Sequence, residues 1–195
     1  FNKTTVNSGG GIFNQAGSAV NLTDSTVNYN QSVIDGGGIY NYSAAVTLTT
    51  SHVSFNVAKM AGGISNAYNG KLTLVASHVI SNEAQNEVGG IWNGGGTASM
   101  TGVQLLNNKA QEGGALYQVY AGTSSTISES CIVGNSDSAV FHDGDGNEVV
   151  ATSNWWGAPD GPSGVGSLPL FQCAHIRSAT PITISTIPKP SRAVV

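Results

Sequence analysis

What this chain has little of narrows its possible roles. It carries 7 Lys and Arg against 11 Asp and Glu in 195 residues, so charged residues make up 9% and the net charge is -4. An average globular domain carries about 25% charged residues. No Arg precedes Arg177 and no basic cluster occurs anywhere, which removes the electrostatic footprint that nucleic acid or an anionic membrane requires. Long apolar runs are missing too, and none approaches the roughly 18 residues of a membrane-spanning helix. Cysteine is reduced to Cys131 and Cys173. There is no initiator Met and no signal peptide, and Phe1 opens inside a repeat, which suggests a processed piece of a longer exported protein.

What fills the chain instead is 26 Gly with abundant Asn, Ser and Thr, arranged periodically. Leu22, Leu48, Leu74, Met100 and Ile127 lie 26, 26, 26 and 27 residues apart, and Val27, Val53, Val79, Leu105 and Ile132 repeat those steps. A third apolar column, Ile12, Ile39, Ile64, Ile91, Leu116 and Val140, sits in motifs of the form Gly-Gly-Gly-Ile-Tyr-Asn. Period-2 alternation inside each unit, as in Val46-Thr47-Leu48-Thr49, indicates strands, and the fixed long period stacks them coil upon coil. An Asn column, Asn30, Asn56, Asn82, Asn108 and Asn135, follows the second strand of each unit. Asn suits such a corner because it tolerates the left-handed conformation and its amide can ladder between coils. The expectation is an all-β, right-handed parallel β-helix of about six coils, with residues 1–165 as the helical domain and residues 166–195 as C-terminal cap, tail and linker. Trp156 aligns with the Ile132 column and offers an apolar lid. Thr180 to Ile187 alternates like a strand.

These motifs, together with Asn154-Trp155-Trp156-Gly157-Ala158-Pro159-Asp160-Gly161-Pro162, resemble the parallel β-helix repeat proteins of the pectin-lyase-like superfamily. More narrowly, they are similar to bacterial surface proteins with polymorphic-outer-membrane-protein-like repeats. The resemblance implies a secreted or cell-surface location. It leaves activity open, because that superfamily holds polysaccharide lyases, glycoside hydrolases and non-catalytic adhesins alike.

Candidate site residues fall into several groups. Glu87 and Glu112 share a column with Asp35 and form the best acid pair for catalysis, yet no Arg or His joins them, and solvated loop carboxylates are the plainer reading. Asp143, Asp145 and Asn147 alternate as oxygen ligands for calcium would, while Asp-Gly-Asp-Gly is equally ordinary turn chemistry. His52 and His78 share an outward column with Thr26, Gln104 and Cys131 and read as a solvated stripe. Phe13, Tyr40, Trp92, Tyr117 and Phe141 follow the buried column and should point outward, interrupted by Ser65. They read either as a contact stripe for a glycan or surface protein, or as rings stacked on one another beneath the loops. In an exported protein, Cys131 and Cys173 can pair and tie the tail to the stack.

The expected function is a non-catalytic spacer or adhesion module with no cofactor beyond the calcium candidate. Two alternatives stand beside it: a carbohydrate-active enzyme, and a subunit of an end-to-end assembly that self-associates through its N-terminal coil.

Overall fold

The computed structural model describes residues 1–136, 138–142 and 148–157, together with the backbone of Ile182–Ile184. It is an all-β parallel solenoid of about five turns. One sheet runs from Ile12–Asn14 through Ile39–Tyr42, Ile64–Ala67, Ile91–Gly94 and Leu116–Val119 to Val140–His142. A second stacks Ala19–Thr23, Ala45–Thr49, Lys71–Val75, Thr97–Thr101, Ser124–Ser128 and Val149–Thr152, and a third stacks Thr26–Asn28, His52–Ser54, His78–Ile80, Gln104–Leu106 and Cys131–Val133. The first sheet supplies six rungs, and the expected six coils correspond to about five complete turns. Ile182–Ile184 closes the second sheet by pairing antiparallel with Val149–Ala151.

The apolar columns meet inside these sheets. Ile39, Leu48, Val53, Ile64, Leu74, Val79, Ile91, Leu105, Leu116 and Ile127 belong to one continuous core and are fully buried. Each interior step puts an apolar side chain over another, so every coil buries its neighbour's inner face and no coil has a core of its own. Trp156 is buried against the end of this core, one residue beyond the bridge between Cys131 and Trp155. Among the described residues, no helix is long and apolar enough to cross a membrane.

Three polar ladders turn the corners. At the first, Asn56 Oδ1 accepts from the Asn30 backbone N–H at 2.9 Å and from its Nδ2 at 3.0 Å, while Asn56 Nδ2 donates to the Val27 carbonyl at 2.9 Å. Asn82, Asn108 and Asn135 repeat the pattern, and Asn2 joins it at the other end through Asn30 Oδ1. The left-handed residue at this corner is not the Asn. It is the residue before it, namely Tyr29, Phe55, Ser81, Asn107 and Gly134, with φ between 54° and 70°. The Asn column is therefore selected for its amide, which satisfies buried groups on two coils at once, and not for backbone tolerance.

The second ladder lies in the Gly motifs. Asn14, Asn41 and Asn66 each donate from Nδ2 to the Oδ1 of the next coil's Asn at 2.8 to 2.9 Å. The run ends at Asn93, which donates to Ser125 Oγ at 2.9 Å because Gln118 replaces the next Asn. This explains why Ser125, on the inward column of Val20, Val46, Leu72, Ala98 and Val149, is polar and still fully buried. The third ladder runs through Ser51, Ser77, Ser130 and Asn154, whose side-chain oxygens accept backbone N–H groups from the preceding coil.

The Gly motif is also where the chain passes closest to itself. A Cβ placed on Gly62 would lie 2.5 Å from the Glu83 carbonyl oxygen, and one on Gly37 would lie 2.5 Å from those of Gly62 and Val57. Only glycine lets these two backbone segments touch.

Candidate functional site

The outward side chains of the first sheet form the most distinctive surface. Register pairs Phe13 with Tyr40, Tyr40 with Ser65, Ser65 with Trp92, Trp92 with Tyr117, and Tyr117 with Phe141. All point away from the core, as alternation requires. Their exposure differs sharply. Phe13 is 51% exposed, Tyr40 and Phe141 are half-buried, and Trp92 and Tyr117 are only 6% and 4% exposed. A continuous exposed stripe is thus not what forms. Trp92 and Tyr117 enter a second apolar cluster with Ala61, Ala67, Val88 and Val119, against which Tyr40 and Phe141 pack. The Trp92 ring occupies the space a Cβ on Gly94 would need, and Tyr120 meets it edge-on at 6.0 Å. Tyr117 stacks on Phe141 at 4.7 Å.

The opposite end of the column stays open, and it recruits two further rings: Tyr42, which period 2 puts on the same outward face as Tyr40 and in register with Ala67, and Tyr68 at the turn beyond. Phe13 stacks on Tyr40 at 5.4 Å, Tyr40 lies 6.3 Å from Tyr42, and Tyr42 lies 4.9 Å from Tyr68. Tyr42 is 36% exposed and Tyr68 62%. Tyr68 sits in the left-handed region at φ 51°, at the turn where the chain leaves the sheet. A sequence signal existed, since Tyr42 follows the motif's Asn41 directly and Tyr68 follows Asn66 by two residues.

Near Tyr40 lies a buried carboxyl. Asp35 Oδ1 accepts from the backbone N–H of Gly36 at 2.8 Å and of Ala61 at 3.2 Å, and its Oδ2 accepts from Ser65 Oγ at 2.9 Å. Ser65 is fully buried where the column would otherwise carry a ring, and its small side chain leaves room for Asp35 to reach across from the preceding coil. Burial pushes the Asp35 carboxyl up to about 6, against the pull of its hydrogen bonds and with help from the charge of Glu87. Burial and the nearby Asp35 push the Tyr40 hydroxyl up to about 12. Glu87 and Glu112 pair through their backbones on adjacent coils and are half-buried. The perturbed acid of this column is therefore Asp35, in which sequence reasoning saw only a column neighbour.

No protein-family profile, curated protein or solved structure matches the chain. What the face can do follows from its own chemistry: flat rings offer area to apolar or sugar surfaces at low entropic cost.

The remaining candidates separate. His52 and His78 stack as the column predicts, with ring centroids 4.3 Å apart. Burial, and then the neighbouring His52, hold the His78 imidazole below its ordinary value. Cys131 is buried and disulfide-bonded, in an apolar patch with Leu106, Val133, Ile80 and Trp155 on the outer face of the third sheet; Cys173 lies outside the described residues. The calcium candidates Asp143, Asp145 and Asn147 also lie outside them. Among the described residues, no group of three or more His, Cys, Asp or Glu is placed to hold a metal ion.

Proposed function

We propose that the chain is a non-catalytic, rigid module of a secreted or surface-displayed bacterial protein, and that it holds the Phe13–Tyr40–Tyr42–Tyr68 rings against a glycan. The family placement suggested by the Gly-motif resemblance, with the pectin-lyase-like parallel β-helices, is part of this proposal. The observation that carries it is the open ring cluster itself. Exposed tyrosines at 4.9 and 6.3 Å from their neighbours, spread over successive coils, match the stacking chemistry of saccharide recognition. The ladders on every coil support the spacer role, because they fix the rings on a scaffold with little freedom to lose on binding.

The test is a screen of immobilised neutral and acidic glycans with the parent chain and a Tyr42→Ala, Tyr68→Ala double variant. Retention of the parent and loss of the variant supports the module; retention of both, or of neither, removes this face from the function. Selective capture of a surface protein in place of any glycan would replace the ligand class.

A second reading has one observation behind it. A carboxyl held at about 6 beside Glu87 is what an acid catalyst of glycoside cleavage needs. Depolymerisation of any screened glycan that disappears in Asp35→Asn would favour the enzyme.

A further inference from the structure

The third sheet carries a feature unrelated to the ring cluster. His52 and His78 are direct register partners on adjacent parallel strands, and both project from the outer face. Their imidazoles stack at 4.3 Å with 28° between planes. His52 is exposed and His78 half-buried. The side chains above and below are Thr26 and Gln104, and no charged residue occurs in the four strands Thr26–Asn28, His52–Ser54, His78–Ile80 and Gln104–Leu106. The strands that carry the pair thus supply no carboxylate partner for it. His78 Nδ1 is enclosed and has no hydrogen-bond partner, which leaves Nε2 as the nitrogen that can reach an incoming ligand.

From this juxtaposition we infer that His52 and His78 form a chelating site for a divalent transition-metal ion of the copper or nickel type. Two imidazoles on neighbouring rungs are spaced by the sheet, about 4.8 Å between strands, and rotation about χ1 and χ2 that opens the stack turns both Nε2 atoms toward one ion. The sheet has already fixed the backbones, so little conformational entropy is lost when the second nitrogen binds. Imidazole selects borderline metals, whereas calcium and magnesium require oxygen donors, which fixes the ligand class. With two protein nitrogens, the other coordination positions belong to water. The ion is therefore exchangeable and solvent-facing, suited to capture or bridging and unlike a closed structural zinc centre.

The test is calorimetric titration of the 195-residue chain with copper(II) at neutral pH, repeated with nickel(II) and calcium, on the parent, His52→Asn, His78→Asn and the double variant. One copper ion should bind per chain, more tightly than nickel, and calcium should not compete. Each single variant should lose about 10-fold or more in affinity, since even outer-shell losses at metal sites cost that much. Copper should also broaden the ring resonances of His52 and His78 in the unmodified chain, a readout that does not depend on how the variants fold. Absence of uptake by the parent, or the same uptake in the double variant, would overturn the assignment.

Discussion

The two ends of the outer ring column share one register and differ in what lies over them. Toward the N-terminal coils, Phe13, Tyr42 and Tyr68 are exposed; toward the C-terminal coils, Trp92 and Tyr117 are buried in a cluster with Val88 and Val119. The strands are equally regular at both ends, so the difference arises from residues beside the column. Gly94 leaves room for the Trp92 ring, and Ala61, Ala67 and Val88 give it an apolar bed. At the open end, Ser65 and Asp35 occupy the corresponding space with polar groups. Alternation dictates the direction of a side chain, and its neighbours dictate whether water reaches it.

The comparison breaks first, and most heavily, at Trp92. Removing a ring packed this deeply should cost about 3 to 5 kcal/mol, as large-to-small core substitutions do. Chemical denaturation of Trp92→Ala checks it. A loss below about 1 kcal/mol would mean that the sealed end is no core at all and that the two ends are equivalent.

Asp35 marks the open end by its titration. Its carboxyl stands at about 6 in the folded chain against 3.8 for the free group. The folded state therefore binds the extra proton between those values. This contribution is fully present below about pH 4, declines as pH rises toward 6 and is flat above, where the cost is about 3 kcal/mol at most. In Asp35→Asn, Oδ1 can still accept from Gly36 and Ala61 while Nδ2 donates to Ser65. The variant should be more stable than the parent at pH 8, with the difference shrinking toward pH 4. Parallel stability curves for the two proteins would show that the carboxyl is not desolvated.

The ladders sharpen the comparison from the other side, because they should not distinguish the ends. Asn56 and Asn82 make the same set of bonds, so Asn56→Ala and Asn82→Ala should each cost about 1 to 3 kcal/mol and agree within about 1. Unequal losses in thermal or urea unfolding would mean that the coils themselves, and not the outer cover, differ along the stack. This ladder was legible because its steps are unbroken. The Ser corner was not, since Val103 interrupts it after Ser77, and Gln118 and His142 end the inner Asn run in the same way. The columns Ile12–Val140, Leu22–Ile127 and Val27–Ile132 were legible because the same inward position of each strand carries an apolar residue on every coil. The left-handed corner residues escaped notice because Tyr29, Phe55 and Ser81 share no side-chain chemistry. Ring exposure escaped it because it depends on contacts between Trp92 and Gly94 and between Ser65 and Asp35, and period 2 records neither.

The smallest effect on stability should come from Tyr68→Ala, and that smallness is the point of the comparison. Tyr68 is 62% exposed and packs against Tyr42, so truncation removes little buried area and should change unfolding free energy by no more than about 0.5 kcal/mol. Its turn conformation at φ 51° is no better for Ala than for Tyr, which leaves the backbone term unchanged. A residue that contributes little to folding and exposes its ring can be truncated without disturbing the scaffold, so it isolates the proposed glycan contact. Tyr68→Gly extends the test, since Gly relieves the left-handed conformation and should fold at least as well as the parent while losing the ring. If both variants keep full glycan retention, the open end is incidental and the sealed end is the only part of the column with a role; if both lose it while unfolding as the parent does, the open rings are the binding surface.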